Sequence, residues 1–304
     1  MSRMEKPQYN RMYEVIRVRL GKNLGKCILA LLLFHLGQSF LYSFTLSPLM
    51  VSGRGGVPAY GTVAFSLVST LCVVFLSFMF LYGILNFFTK TILARRDVMR
   101  VISSGFRDKT RRAKKLSLFF TFIFAVCASL GTIVIMRFRG HIAGIVVSNA
   151  DSYGIPAESL DFAKAIALAV VFCGVFFIAM LLLVLPFLFS YNVLFDDKKI
   201  TVAGALKKSA VYMIPKFFHF IGFVIYVCIK NVIFISIIFA MNMYVSRSQS
   251  MIANLFSMLL AFFAFTQEYS IVAKAYASVP VYYYSLLSVN GLVDSGKRNE
   301  STSQ

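Results

Sequence analysis

The sequence predicts an all-α, polytopic membrane helix bundle of about six transmembrane helices, with amphipathic helices at some of the elbows between them. Three observations carry that prediction. Of the 304 residues 59% are hydrophobic and the mean hydropathy is +0.76, more apolar surface than a soluble core of this length can hide. The apolar residues fall into runs near 27–49, 62–93, 116–137, 162–195, 213–243 and 252–288. Each is long enough to cross a hydrocarbon layer about 30 Å thick. The charges are few, 14% of the chain, and one-sided, with 31 Lys and Arg against 12 Asp and Glu, and they gather between the runs. A disordered polymer and a soluble nucleic-acid binder are excluded, because the latter would spread its charge over a folded polar surface.

Residues 1–26 form a basic N-terminal segment, with Arg3, Lys6, Arg11, Arg17, Arg19, Lys22 and Lys26 ahead of the first apolar run. It is too long and polar for a signal-peptide n-region and shows no small-residue cleavage site, so the first span is expected to stay uncleaved. A six-span membrane domain follows over 27–288, with elbows at 94–115 and 196–209, and residues 289–304 form a polar tail. Runs longer than the bilayer is thick must tilt, kink or project. The N-terminal segment, the two elbows and the tail hold 22 basic residues, whereas the alternate connections hold five, Arg54, Arg137, Arg139, Lys164 and Arg247. Positive charge stays on the cytoplasmic side, so both termini are expected there.

In the first elbow, Val98, Val101, Ile102 and Phe106 recur at three- and four-residue intervals while Arg95, Arg96, Arg100 and Arg107 occupy other faces, with Arg111 and Arg112 following. That pattern predicts an amphipathic helix lying in the interface and suits the recognition of anionic lipid headgroups. A purely topogenic loop would need the same charges. In the second elbow, Asp196 and Asp197 with Lys198 and Lys199 turn the chain, Thr201 is placed to cap a helix, and Val202, Ala205, Leu206 and Ser209 form its less polar face. The two elbows look alike and suggest a loose internal repeat. Residues 138–160 read as an outer loop, with turn signals at Asn149, Asp151, Gly154 and Pro156.

Catalytic signatures are missing: the sequence contains no H-E-x-x-H, no G-x-S-x-G and no G-x-x-x-x-G-K-[ST]. The glycines around Arg54 read as a turn before Pro58. Asp196 and Asp197 are the only adjacent carboxylates. Such a pair can hold a divalent ion or act as acid and base, but at the end of a span, beside two lysines, it is read as a structural turn together with Thr201. His35, His141 and His219 have no ligand spacing, so no metal or cofactor is expected. Cys27, Cys72, Cys127, Cys173 and Cys228 fall one to a span across the first five spans, as packing residues do. Lys230 and Glu268 lie inside the fifth and sixth spans. Ionisable groups at that depth face a partner or a wet cavity, which leaves a proton or substrate pathway open beside an ion pair or a snorkelling lysine.

Three stretches carry a family resemblance: Gly83 to Arg96 followed by Val101 to Phe106; Leu185 to Tyr191 followed by Asp196, Asp197 and Ala203 to Ser209; and Pro280 to Ser285. Together they resemble the YciC-like proteins and the membrane domain attached to some glycerophosphoryl diester phosphodiesterases, bacterial multi-pass proteins with no agreed activity. The likeness extends over roughly half the chain, and Phe187 and Pro215 depart from the family pattern, which has small residues there. It implies a six-span inner-membrane fold with two re-entrant-looking cytoplasmic elbows and carries over no catalytic residue. The expected function is that of a non-enzymatic membrane protein that organises anionic lipids or partner proteins at the cytoplasmic face. A permease is the alternative, motivated by the repeat, Pro186, Pro215, Lys230 and Glu268. A lipid-processing enzyme built on Asp196 and Asp197 is the second.

Overall fold

The computed structural model describes residues 9–52, 60–93, 104–107, 111–153, 157–245 and 251–289. Among these, every regular element is a helix: α1 (Tyr9–Gly21), α2 (Leu24–Ser52), α3 (Tyr60–Ile92), α4 (Ser104–Arg107), α5 (Arg112–Tyr153), α6 (Ala157–Val184), α7 (Ser190–Asp196), α8 (Val202–Met213), α9 (Phe217–Val245) and α10 (Met251–Val289). Five stretches are long and apolar enough to cross a membrane: Leu67–Ile92, Arg112–Ser148, Ile166–Asp196, Val202–Val245 and Ala253–Ser288. Helix α1 with Leu24–Phe40 of α2 makes a sixth, as a pair bent by 83°. The protein is a multi-pass helical membrane bundle.

Short connections make sequence neighbours pack as antiparallel hairpins, α2 on α3, α5 on α6 and α9 on α10. Helix α3 is the common member. It also takes α5 and α10, so it joins the α5–α6 and α9–α10 hairpins. Its last third is buried on every face, with Tyr82 through Thr89 buried without interruption. There it meets Ile16 of α1, Phe120 of α5, Tyr191 of α7 and Tyr282 of α10 in a single core. Phe120 stacks on Tyr191 with ring centroids 5.3 Å apart, and Phe88 stacks on Tyr276 at 5.8 Å. Asn192 Nδ2 donates to Thr89 Oγ1 at 2.9 Å, which ties α7 to α3. The other halves of α6, α9 and α10 expose Phe177, Phe239 and Phe262, as helices do where lipid is the solvent.

Proline sets the breaks. Leu185–Phe187 and Ile214–Lys216 are three-residue 3-10 turns around Pro186 and Pro215. In each, the ring removes a backbone donor and crowds the preceding turn. The run 162–195, too long to cross straight, is accordingly divided at Pro186 into α6 and α7.

Three expectations change. Residues 138–153 are not an outer loop, because α5 runs on as one helix through Asn149 and Asp151 to Tyr153. Propagating a helix adds a hydrogen bond for each residue fixed, and isolated turn formers do not stop it. The N-terminal segment is more than a charged leader, since residues 9–21 fold as α1 and bury Met12, Ile16 and Leu20. Of the first elbow, residues 104–107 and 111–115 are described; the latter open α5, and Ser104–Arg107 is a single helical turn that doubles back along α3. Asn86 Nδ2 donates to Ser104 Oγ at 3.2 Å, and Phe106 meets Phe80 edge-on at 4.8 Å. A Cβ on Gly105 would come within 2.3 Å of the Met79 carbonyl oxygen. Met79 lies thirteen residues before the end of α3 at Ile92, about 20 Å along the axis. Glycine is what allows the backbones to approach this closely. Val98, Val101 and Ile102, the rest of the expected stripe, lie outside the described residues, as do residues 290–304 of the tail.

Candidate functional site

The first candidate is a rim of positive charge at the end of the bundle where α3 and α10 finish. Met12, Ile16 and Leu20 recur every four residues and seat α1 on the core, which leaves Arg11, Arg17 and Arg19 exposed, with Lys22 and Lys26 exposed beyond the bend. Two hydrogen bonds fix α1 to α9: Tyr9 OH donates to the His219 carbonyl at 2.7 Å, and Tyr226 OH donates to Asn10 Oδ1 at 2.8 Å. Gly222 makes the room, because a Cβ there would stand 2.8 Å from the Tyr9 hydroxyl.

The second elbow completes the rim. Asp197 Oδ1 accepts the backbone N–H of Lys199 at 2.9 Å and of Ile200 at 3.2 Å, which closes the turn. Thr201 Oγ1 accepts Gly204 N–H at 3.2 Å and caps α8. Tyr284 OH donates to Asp196 Oδ1. Ser209 Oγ donates to the Pro186 carbonyl at 2.9 Å, so α8 folds back onto the proline turn. Lys198, Lys199, Lys207 and Lys208 stay exposed. Both carboxylates thus have backbone or tyrosine donors, and among the described residues no three His, Cys, Asp or Glu side chains gather where they could hold a metal.

Of the six arginines read as headgroup candidates, Arg95, Arg96 and Arg100 lie outside the described residues. Arg107 and Arg111 are exposed, and Arg111 holds a left-handed backbone at φ 58° just before α5. Arg112 is half-buried, and its Nη1 donates to the Asp197 carbonyl at 3.0 Å.

The second candidate lies between α9 and α10. Lys230 and Glu268 are both exposed and do not pair with each other. A half-buried polar contact belongs to their neighbours instead. Lys274 Nζ donates to Asn231 Oδ1, while Asn231 Nδ2 donates to Gln267 Oε1 at 2.6 Å and to Ser270 Oγ at 3.4 Å. The sequence reading passed over Lys274, although Gln267, Ser270 and Lys274 follow helical spacing and mark one polar face of an otherwise apolar span. A chain of this kind satisfies an ammonium at membrane depth without a counter-charge.

Comparison of the chain with protein-family models, with curated proteins and with solved structures finds no match in any of the three.

Proposed function

We propose that this chain is a non-enzymatic multi-pass protein of a bacterial cytoplasmic membrane, with both termini in the cytoplasm, that organises anionic lipids or partner proteins at that face. One observation supports it most: α1, the start of α5, and α8 each turn an apolar face to the core and exposed lysines or arginines outward at the same end of the bundle. Each cation near a headgroup contributes about 1 kcal/mol, and the apolar faces hold those cations at one level. In mixed micelles offering phosphatidylcholine and phosphatidylglycerol, the purified protein is expected to retain phosphatidylglycerol and to release it as salt rises. Replacing Arg17, Lys207 or Lys208 by Gln lowers that retention by about fivefold each. Equal retention of the two lipids at low salt would overturn the reading.

A permease is the second reading, favoured by the Lys274–Asn231–Gln267 chain within the α9–α10 hairpin. It requires a polar route to that chain. A separate cavity lies between α2, α3, α5, α6 and α10, with neither Lys230 nor Lys274 among its described lining residues.

A further inference from the structure

The same cavity, about 240 Å³ in volume, has apolar walls that include Phe34, Phe78 and Phe124, and a short polar stripe made by His35 and Gln38 of α2 with Ser77 of α3. Ser77 is only 9% exposed, and its Oγ has no hydrogen-bond partner. Hydroxyls in helices ordinarily satisfy themselves on the carbonyl one turn back. Thr89, Thr91 and Thr121 do so here, donating to Leu85, Phe87 and Ser117 at 2.8, 2.9 and 2.8 Å. Ser77 does not. The Nε2 of His35 is likewise buried and unpartnered, while its ring is held by edge contacts with Phe34 at 5.5 Å and Tyr269 at 5.6 Å. Two polar atoms left this way cost about 1–3 kcal/mol each, a cost that a ligand carrying both a donor and an acceptor removes.

The lining decides which ligand. Among its described residues there is no Lys, Arg, Asp or Glu. A phosphodiester or a carboxylate would be buried with its charge unpaired, at a cost of several kcal/mol. An uncharged hydroxyl pays no such penalty, and a carboxylic acid pays only the smaller cost of taking up its proton. The volume is below the range of about 300–1,000 Å³ typical of drug-sized ligands, which suits one chain end rather than a two-chain lipid. His35, Gln38 and Met180 are half-exposed, so the cavity reaches the surface where these α2 and α6 side chains line it. We propose that this cavity holds the polar end of a single-chain lipid, a fatty alcohol or an uncharged fatty acid. Its oxygen bonds to His35 Nε2 and Ser77 Oγ, its first carbons lie against Phe34, Phe78 and Phe124, and the rest of its chain leaves into the bilayer. The site is separate from the basic rim and does not depend on it.

The test uses the full chain in detergent with diazirine-bearing hexadecanol and hexadecanoic acid as photoprobes, and maps the labelled peptides by mass spectrometry. Label is expected on α2 near His35 and on α3 near Ser77, competed by unlabelled hexadecanol or hexadecanoic acid but not by phosphatidylglycerol. The stronger probe identifies the headgroup. Combining His35→Leu with Ser77→Val removes two hydrogen bonds and lowers labelling by about tenfold, whereas His35→Gln keeps it within about twofold. Val74→Phe fills the cavity without touching its polar atoms and lowers labelling as well. Competition by phosphatidylglycerol as effective as by the single-chain lipids, or label spread over the lipid-facing surface without enrichment at α2 and α3, overturns the proposal on the unmutated protein alone. Unchanged labelling of the His35→Leu, Ser77→Val variant overturns it as well.

Discussion

Arg112 and Asp197 join the two elbows: the guanidinium at the start of α5 donates to the carbonyl that follows α7, across 85 residues of sequence. Each elbow is thereby braced by the other. The same contact withdraws one arginine from the set available to lipid.

The Asp197 turn separates a structural carboxylate from a catalytic one. Asp197→Ala removes the acceptor of two backbone N–H groups and is expected to lower stability by about 1 kcal/mol, while Asp197→Asn keeps an acceptor and loses less. Thermal unfolding in detergent measures both. Bound divalent metal that disappears when Asp196 and Asp197 are both changed to Asn would instead revive the enzyme reading.

Close packing at α4 gives a contrast between two glycines. Gly105→Ala drives a methyl into the Met79 carbonyl and should destabilise the protein by about 1–3 kcal/mol. Gly140→Ala meets nothing within 4 Å in the middle of α5 and should stabilise by up to about 1 kcal/mol through helix propensity. Equal effects in unfolding midpoints would mean that α4 does not sit against α3.

In the α9–α10 hairpin, Asn231→Leu strands the Lys274 ammonium and should cost more than Lys274→Met, with a coupling of about 0.5–2 kcal/mol in the double-mutant cycle. Lys230→Met, at an exposed position, should stay within about 0.5 kcal/mol of the parent. A larger effect at Lys230 than at Lys274 would contradict the hydrogen-bond assignment.

The proposed orientation is checked by labelling. Single cysteines at Lys22, Lys115 and Lys207, in a background lacking the native ones, should resist a membrane-impermeant maleimide in intact cells and react after lysis. Reaction at any one of them in intact cells reverses the topology.

The spans were legible because lipid imposes a length on apolar runs, and five of the expected runs each hold a helix long and apolar enough to cross, while the first passes only together with α1 as a pair bent by 83°. Thr201 was legible because a cap is a local device. Helix α1 was hidden by its own charge: seven basic residues in 26 drew attention away from the stripe Met12, Ile16, Leu20. Asn149 and Asp151 read as turns because turn signals are local, whereas a helix already formed propagates through them to Tyr153. Lys274 was visible as a charge, but its partner depends on which faces of α9 and α10 meet. The unpartnered atoms of His35 and Ser77 were beyond any reading of the sequence, because they arise only where two helix faces fail to complement each other.

The docking of α1 has a consequence for synthesis. Tyr9 leaves the ribosome early, but the carbonyl it bonds belongs to His219, 210 residues later. At about 5–20 residues per second, α1 waits on the order of 10–40 s for that partner, while the intervening spans are made. Helices α2 and α3 supply only part of the seat for its three buried apolar residues during that interval, and with five cations beside them these residues suit a stay near the membrane surface. Helix α1 precedes all four helices it packs on, and its seat is complete only when α9 and α10 arrive.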